Sequence, residues 1–408
     1  MSMPEKDSPF RLAIVAPLPV QYNSPFFRRL AEQDGISPTV LYGTLAHTYE
    51  SFDEGFGISY SWDIPLLDGY RYKVIPTIKT TDQDRGLALI APRLLFELKR
   101  SRYDAALIYG WGDWYSRSAL VACFVNKLPF FLTGDATPIY PDPPLRGAVR
   151  HLLLSILLNR AAGCLYVGTL QRIYFERLGV DDSRLFFHPW TVDNDRFFAA
   201  ATFDTEKKNK LRAEFGLPAD IPLVVFCGKF ISRKRPLDIL KALATLQREG
   251  VRCGAVFIGT GELKPLLESM AIREQLKDVY FLGFVNQSAL PDALAACDVL
   301  VLPSEKDPRA TVVAEAMATG LPVVISHRVG LWGFGDIVIE GETGFVYSCG
   351  NIDQLSEELR VLLVNSELRI RMGKAALERL KTWGLNERVE GVKEAIESLR
   401  RHRPIASH

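Results

Sequence analysis

The chain has 408 residues, of which 48% are hydrophobic and 24% are charged, with 49 basic and 48 acidic side chains. At roughly 100–200 residues per domain, this length predicts two domains. A formal net charge of +1 argues against a protein that neutralises long nucleic acids, and the hydrophobic content argues against disorder.

Neither a membrane span nor a metal or dithiol centre is expected. The longest apolar candidate, residues 151–171, is interrupted by Arg160, whereas a span needs about 20 consecutive apolar residues. The six histidines and six cysteines have no HxH, HxxxH or CxxC spacing, so no metal or redox site is predicted. The first ten residues hold no apolar segment, so no signal peptide is predicted. We therefore expect a cytoplasmic protein with buried, reduced thiols.

Apolar runs of strand length alternate with helical patterns along the chain. Nearly continuous apolar runs are typical of strands buried on both faces of a parallel sheet. The predicted strands are 11–15, 104–109, 129–133, 163–167, 222–227, 255–258, 279–282, 299–302 and 322–325. Between strands, residues 236–249 have leucines at helical spacing, with Pro236 suited to the first turn and Gly250 to the end. This alternation predicts an α/β fold with doubly wound parallel sheets.

The domain boundary is predicted where the chain becomes polar and rich in lysine, in the run TFDTEKKNK at residues 202–210. We expect one Rossmann-like domain over residues 1–195 and a second over residues 196–384. The remainder, residues 385–408, is predicted to be a charged amphipathic helix that packs back on one of these domains.

A basic loop, GKFISRKRP at residues 228–236, follows a strand that is predicted to be buried. Its basic residues are Lys229, Arg233, Lys234 and Arg235, and no acid precedes Asp238. Ligands bind outside the carboxyl ends of strands in open α/β sheets, and a helix N-terminus there favours an anion. The loop therefore predicts a phosphate or diphosphate site, with a solvated basic loop as the alternative. It is not a Walker P-loop, because Phe230 rather than Ser or Thr follows Lys229.

A second candidate site lies in PSEKDPRATVVAEAMATGLPVV, residues 303–324. A helix is predicted from about Ala310 to Thr319, with Thr311 as its N-cap and Glu315 one turn later on the same side. Asp307 stands in the preceding loop. Two carboxylates and the helix-start amides can together hold diol hydroxyls and phosphate oxygens. The alternative is that Glu315 complements the helix dipole and Asp307 is an ordinary loop acid.

Together, GKF-x3-K and PSxxD-x7-EAMATGLPVV resemble the donor-site motifs of family 4 glycosyltransferases. Further matching stretches are GTGELKPLLE (259–268), VYFLGFV (279–285), ETGFVY (342–347), QYNSPFFRRL (21–30) and VGTLQRIYFERLGV (167–180). The resemblance covers most of the chain and is strongest in the second half. It implies the GT-B fold, with two Rossmann-like domains that face a central cleft. It also implies a retaining hexosyltransferase of polysaccharide biosynthesis that uses a nucleotide sugar.

The resemblance assigns donor contacts in the second half. It places Gly228, Lys229 and Lys234 at the nucleotide diphosphate, Phe284 and Val285 at the base, and Thr311 and Val312 at phosphate. Glu315 would hold the ribose hydroxyls and Asp307 the donor sugar. Lysines and helix amides would stabilise the leaving diphosphate without a metal cofactor.

Three departures from the family pattern affect these assignments. The first acid is Asp307 rather than Glu, one methylene shorter. A glycine-rich stretch is replaced by DPRA, which places Pro308 and Arg309 beside the donor, where Arg309 would contact phosphate or sugar or else be solvated. In the first half, Asp135 stands where family members often carry a histidine near the reacting sugar, and would accept a hydrogen bond from the acceptor or steady the donor carbon.

Acceptor contacts are predicted in the first half from Gln21, Tyr22, Asn23 and Trp111, the last by stacking on sugar. The acceptor is a glycan, a lipid-linked molecule or a small molecule. Residues 145–160 alternate basic residues with Leu and Ile. They predict a helix that packs on the core, or else one that contacts the inner face of a membrane, as a lipid-linked acceptor would require.

Other functions fit parts of the sequence. DxD patterns at 82–84 and 193–195 could hold a divalent ion, and residues 110–112 loosely imitate a dinucleotide fingerprint, although Tyr115 occupies the third glycine's place. A sugar-nucleotide epimerase or hydrolase would use similar phosphate contacts. A non-catalytic nucleotide-sugar-binding protein would bind the donor without turnover. The donor base, the sugar and the linkage are not predicted.

Overall fold

The computed structural model describes residues 8–82, 86–140 and 144–402. The chain divides into two compact units. The first contains the described residues up to Glu50, Pro65–Trp190 and the chain from Leu385 onward, and the second contains Ser51–Ile64 and Thr191–Gly384. The first unit's segment from the first half of the sequence ends at Trp190, whereas the predicted domain boundary is residue 195, and the second unit includes Ser51–Ile64.

The described strands, in chain order, are β1 (Phe10–Ala16), β2 (Ile36–Tyr42), β3 (Ser51–Asp53), β4 (Ile58–Tyr60), β5 (Arg71–Val74), β6 (Ile78–Asp82), β7 (Gly86–Ile90), β8 (Ala105–Tyr109), β9 (Phe130–Thr133), β10 (Gly163–Tyr166), β11 (Leu185–Phe187), β12 (Leu223–Cys227), β13 (Gly254–Ile258), β14 (Val279–Gly283), β15 (Val299–Leu302), β16 (Val323–Ser326) and β17 (Gly344–Tyr347). Every strand predicted from an apolar run is present with ends within one residue, so those predictions are confirmed.

The described helices are α1 (Ser24–Ala31), α2 (Leu94–Glu97), α3 (Trp114–Val125), α4 (Pro144–Arg160), α5 (Thr169–Arg177), α6 (Asn194–Phe198), α7 (Thr205–Glu214), α8 (Leu237–Arg248), α9 (Lys264–Arg273), α10 (Leu290–Ala295), α11 (Thr311–Ala318), α12 (Ile352–Val364), α13 (Ser366–Leu380) and α14 (Leu385–His402). Short 3-10 turns occupy Asp182–Arg184 and Ser232–Lys234. Among the described residues, no helix combines the length and apolar composition that crossing a bilayer requires.

The first unit is built on a parallel sheet in the order β11-β10-β9-β8-β1-β2-β5. Buried apolar side chains cover both faces of this sheet. Helix α14 belongs to this unit and packs Val389, Val392, Ala395 and Ile396 into the core on one face. The strand order reverses between β1 and β8, so the loops after these two strands leave the sheet at the point where ligands bind in such folds.

The second unit has a parallel sheet in the order β14-β13-β12-β15-β16-β17. Numbered within the unit, this is 3-2-1-4-5-6, the strand order of dinucleotide-binding Rossmann folds. Its central strands are buried throughout except at Cys227, the last residue of β12, which is partly exposed, as their continuous apolar runs predict. The order reverses between β12 and β15. The loop after β12, residues 228–236, therefore lies beside the loop after β15, residues 303–310.

Candidate functional site

The basic loop and the loop before α11 both begin at the carboxyl ends of strands in the second unit's sheet. β12 leads into the basic loop at residues 228–236, and β15 leads into the loop that precedes α11. These are the strands on either side of the point where the strand order reverses. In sheets of this kind, ligands bind outside the carboxyl ends of the strands at this point.

Gly228 turns the chain out of β12 with φ at +151°, a conformation that is unfavourable for residues with a side chain. Its carbonyl oxygen lies only 2.0 Å from where a Cβ on Gly259 would stand. Gly259 begins the GTGE sequence after β13. The two glycines therefore allow the loops after β12 and β13 to approach each other closely.

Acidic side chains from distant parts of the sequence contact the two lysines of the basic loop. Lys229 Nζ donates to Asp53 Oδ1 at 2.7 Å and to Asp53 Oδ2 at 2.8 Å. Lys234 forms an ion pair with Asp307, in which the two side chains are 15% and 11% exposed, respectively. The local sequence of this loop holds no acid before Asp238, but the fold brings a carboxylate to each of its two lysines.

The two arginines of this loop have different partners. Arg235 Nε donates to Asp238 Oδ2 at 2.7 Å, which holds it at the start of α8. Arg233 Nη1 donates to the Lys306 carbonyl oxygen at 3.1 Å and is largely exposed. Lys229 and Lys234 are therefore the cations most closely tied to the strand-end edge.

The start of α11 differs in one residue from the prediction. The N-cap is Ala310, with left-handed φ at +33°, and Thr311 is the first helical residue; the prediction of Thr311 as N-cap was wrong. Asp307 Oδ1 accepts a hydrogen bond from the Ala310 amide at 3.2 Å. Thr311 and Val312 are half-buried, and the first amides of a helix have no acceptor within it, which favours an anion there.

The loop before α11 packs closely against the backbone at Gly330. A Cβ on Gly330 would stand 2.3 Å from the Pro308 carbonyl oxygen. The Gly330 amide also donates to the Asp307 carbonyl oxygen at 3.0 Å. Arg309 lies half-buried in this loop, between the aspartate and the helix.

Glu315 is buried on α11, with 4% of its surface exposed. Burial raises the pKa of Glu315 to about 7, although the nearby Arg196 charge and the Gln287 hydrogen bond act in the opposite direction. Gln287 Nε2 donates to Glu315 Oε1 at 3.5 Å, and Arg196 Nη2 donates to Gln287 Oε1 at 2.5 Å. Burial raises the pKa of the Cys227 thiol at the end of β12. The charge of Glu315 acts in the same direction and that of Lys234 in the opposite direction.

Phe284 and Val285 follow β14 and are half-buried. The Phe284 ring lies against the hairpin formed by β3 and β4, whose chain segment is Ser51–Ile64. Ring centroids are 4.6 Å apart between Phe284 and Tyr60 and 5.2 Å apart between Phe284 and Phe56. The hairpin therefore reaches both the basic loop, through Asp53, and the predicted base-contacting residues.

The acceptor residues predicted in the first half lie at the edge of the first unit's sheet where its strand order reverses. Gln21, Tyr22 and Asn23 follow β1, and Trp111 follows β8. The Trp111 ring lies 3.0 Å from where a Cβ on Gly134 would stand. Gly134 immediately precedes Asp135, which is half-buried beyond the end of β9. Trp111 and the Asp135 loop are thus neighbours within this unit.

A buried arginine on α14 supports the loop that carries Tyr22 and Asn23. Arg388 is fully buried, and Arg388 Nη1 donates to the Tyr22 carbonyl oxygen at 3.0 Å. Arg388 Nη2 donates to Asn23 Oδ1 at 2.7 Å and to Tyr109 Oη at 3.1 Å. Arg388 Nε donates to His188 Nε2 at 3.1 Å. One side chain therefore joins the last helix to the residues predicted to contact the acceptor.

No group of three His, Cys, Asp or Glu side chains placed to hold a metal ion is found within the described parts of the chain. Of the DxD patterns, Asp193 and Asp195 flank the start of α6, whereas residue 84 of the other pattern lies outside the described residues. All six cysteines are free thiols, and Cys123, Cys164, Cys253 and Cys297 are buried.

Solved structures of low sequence identity share the fold of this chain. A glycosyltransferase from Rickettsia africae ESF-5 has a TM-score of 0.71 and 15% identity, covering 96% of this chain and 99% of that one. Anabaena Alr3699/HepE in complex with UDP and glucose has a TM-score of 0.68 and 18% identity, covering 95% and 100%. The chain has the GT-B fold, and this likeness establishes the fold alone.

The sequence comparison is more specific for the second unit. Residues 207–379 match the family described as Glycosyl transferases group 1. Sulfoquinovosyl transferase SQD2 of Arabidopsis thaliana is 35% identical over 177 residues, which is 43% of this chain and 32% of that protein. The chain spans between about a third and just over half the length of the curated relatives it matches. The segment that carries both donor motifs is therefore similar to group 1 glycosyltransferases.

In each unit taken by itself, residues that contact the predicted site residues were not identified from the sequence. Asp53, Arg196, Gln287, His188 and Arg388 lie far along the chain from the groups they contact. None of them stands in a motif. Only the tertiary fold places them, although a buried-face position for Arg388 within an amphipathic helix is an unusual feature that could have drawn attention to it.

Proposed function

We propose that the protein is a retaining glycosyltransferase that moves a hexose-type sugar from a nucleotide diphosphate sugar to a glycan, lipid-linked or small-molecule acceptor. One observation carries this proposal. Lys234, Asp307, the first amides of α11 and the buried Glu315 all lie at the point where the second unit's strand order reverses. They belong to the segment that matches group 1 glycosyltransferases.

In this proposal the nucleotide lies along the strand ends of the second unit. Glu315 accepts hydrogen bonds from the ribose hydroxyls, and Phe284 and Val285 lie beside the base. Lys229, Lys234 and the amides of Thr311 and Val312 contact the diphosphate. Asp307 and Arg309 lie where the donor sugar would be held.

Bond cleavage places negative charge on the leaving diphosphate. Fixed cations and amide dipoles that are already aimed at that charge stabilise it without reorganisation. Lys234 and the start of α11 supply these groups from the chain itself, so we propose that transfer needs no metal ion. Asp135 in the first unit would accept a hydrogen bond from the acceptor hydroxyl.

The donor assignment predicts nucleotide binding that depends on pH. With the pKa of Glu315 at about 7, its ionised fraction rises from about a tenth at pH 6 to about nine tenths at pH 8. A carboxylate accepts hydrogen bonds from a ribose diol better than the acid does. We therefore expect UDP, GDP or ADP sugars to raise the melting temperature more at pH 8 than at pH 6.

The matched variant for this experiment is Glu315→Gln, which should lose the difference between the two pH values. Release of nucleoside diphosphate on adding an acceptor would distinguish a transferase from a binding protein. Release without an acceptor would indicate a hydrolase. If no nucleotide sugar stabilises the protein at either pH, the proposed function is wrong.

We further propose that a lipid-linked acceptor is reached through contact of α4 with an anionic membrane surface. Leu154 and Leu158 of this helix are buried, but Val149, Leu152, Leu153 and Ile156 are each more than half exposed. These four residues fall at i, i+3, i+4 and i+7, a single helical stripe. Basic Arg150 and Arg160 lie on the same helix. An apolar stripe with basic neighbours suits the interface of anionic lipids.

Replacing Leu152 and Ile156 with glutamate should lower binding to vesicles of phosphatidylglycerol by about tenfold, because the charge opposes both burial and the anionic surface. Co-sedimentation measures this directly. Ile272→Glu is the matched control, since Ile272 is 79% exposed on α9 of the second unit. Equal binding by all three proteins would contradict contact through α4.

A further inference from the structure

The β3–β4 hairpin, Ser51–Ile64, is fastened to the second unit near the predicted base site. Asn286 Nδ2 donates to the Ser61 carbonyl oxygen at 2.8 Å. The Ser288 amide donates to Asp63 Oδ1 at 3.0 Å. With the aromatic packing around Phe284, these contacts fix the C-terminal half of the hairpin.

The other half of the hairpin contacts the basic loop through one carboxylate. Asp53 accepts hydrogen bonds from the amides of Gly55 and Phe56 at 2.9 and 3.0 Å, so the turn itself orients it. The Lys229 side chain crosses Gly55, where a Cβ would stand 2.6 Å from Lys229 Cδ. Lys229 Nζ lies 5.0 Å from the centre of the Phe56 ring. Lys229 therefore contacts three residues of the hairpin.

Asp53 and Lys229 form an ion pair in which the ammonium group donates hydrogen bonds to the carboxylate. The side chains are 15% and 31% exposed, respectively. Burial alone would raise the pKa of Asp53, but hydrogen bonds from Lys229 and from the two amides outweigh it and lower the pKa below its usual value. The carboxylate is therefore ionised at neutral pH, and it contacts the same ammonium group that the proposed function assigns to the diphosphate.

We propose that Asp53 is an affinity-determining residue of the donor site, whose carboxylate competes with a donor phosphate for Lys229. The inference rests on the role that the proposed function gives to Lys229. A carboxylate and a phosphate oxygen make the same kind of bond to an ammonium group. A diphosphate brings more negative charge than one carboxylate and so displaces it, whereas a ligand that does not reach Lys229 leaves the pair intact.

A carboxylate that competes for Lys229 and a carboxylate that only positions Lys229 predict opposite effects of removing Asp53. If Asp53 only positions Lys229, its removal weakens anion binding. If Asp53 competes, its removal strengthens anion binding, because Lys229 no longer has to give up a partner. Asp53→Asn is suited to the test because asparagine keeps the acceptor for the Gly55 and Phe56 amides and removes only the charge.

The experiment measures binding of inorganic pyrophosphate by calorimetry, so that no knowledge of the base or sugar is needed. We expect Asp53→Asn to bind about tenfold more tightly than the unchanged protein. Asp63→Asn is the matched control, an acid of the same hairpin that contacts Ser288 instead, and should change affinity by less than about twofold. In a Lys229→Met background, Asp53→Asn should give no gain, since the group competed for is absent.

Equal or weaker binding by Asp53→Asn would overturn the inference, and so would a full gain in the Lys229→Met background. If the unchanged protein binds pyrophosphate but Asp53→Asn shows no gain, the proposed function survives and only this inference fails. If no form binds pyrophosphate or a nucleoside diphosphate, both fail.

Hydrogen–deuterium exchange on the unchanged protein tests the same inference and does not depend on the folding of a variant. Saturating pyrophosphate should speed hydrogen–deuterium exchange in residues 51–56, because the hairpin loses its contact with Lys229. The segment that includes Asp63 should stay protected. Slower exchange in residues 51–56 would contradict displacement of Asp53.

Discussion

Lys234→Ala should lower sugar transfer by at least about a thousandfold, which corresponds to roughly 4 kcal/mol of transition-state stabilisation. Lys234 is mostly buried beside Asp307 and close to the start of α11, where charge on a leaving diphosphate would develop. A fixed cation at this point stabilises that charge more than a solvated one would. Initial rates of nucleoside diphosphate release, with donor and acceptor saturating, measure the loss.

The control is the adjacent Arg233→Ala. Arg233 belongs to the same 3-10 turn, but it is largely exposed and donates to the Lys306 carbonyl oxygen. Its removal takes the same charge from the same loop and should change the rate by less than about threefold. A similar loss in both variants would mean that only the overall charge of the loop matters, and near-normal turnover by Lys234→Ala would refute the proposed role.

A structural effect can be separated from a chemical one. Lys234→Ala leaves the Asp307 carboxylate buried without the lysine, which costs folding free energy. Adding Asp307→Asn removes that charge as well, so the double variant should recover melting temperature. It should not recover transfer, because both proposed donor contacts are missing. Recovery of transfer with stability would show that Lys234 acts on the fold alone.

The sequence predicted those strands whose side chains are buried on both faces, because a continuous apolar run is visible without any tertiary information. It missed β2, which contains Pro38, normally a sign against a sheet interior. Pro38 is tolerated because the pairing of β2 with β5 begins only at Thr39. β5 was missed because its sequence RYKV is exposed and has no apolar pattern.

The residues of the candidate donor site were predicted through motifs, but the charges around them were not. Glu315, Lys229 and Lys234 were identified because they stand at strand and helix ends. The partners of both lysines could not be found, since Asp53 lies 176 positions from Lys229 and Asp307 lies 73 positions from Lys234. Local sequence fixes which groups leave a strand end, whereas the charge that a ligand meets there depends on contacts made only after folding.

Arg388→Met should destabilise the first unit by about 3–5 kcal/mol, measured as the free energy of unfolding in urea. The Arg388 guanidinium donates several hydrogen bonds and also packs on aromatic rings. It lies 4.4 Å from the centre of the Phe26 ring and 5.6 Å from the centre of the Trp190 ring. Methionine fills part of the volume but leaves buried acceptors without their donor. Arg400→Met, an exposed arginine over the Phe10 ring on the same helix, should cost less than about 1 kcal/mol.

The contact between Arg388 and His188 predicts how the free energy of unfolding depends on pH. His188 Nδ1 lies 2.9 Å from the Arg388 carbonyl oxygen, and its Nε2 accepts from Arg388 Nε, so the ring must be neutral. Burial and the Arg388 charge hold the pKa of His188 well below 6.5. Because the unfolded chain binds this proton more readily, stability is complete above about pH 6.5 and falls as the pH decreases toward the folded pKa.

His188→Gln tests this explanation, since glutamine offers one acceptor and one donor but does not titrate. Between pH 7.5 and 5.5 the unchanged protein should lose about 1 kcal/mol more unfolding free energy than this variant. Equal losses would place the pH dependence elsewhere. A small effect of Arg388→Met on unfolding would mean that α14 is held mainly by its apolar side chains, and the loop with Tyr22 and Asn23 would then not depend on this arginine.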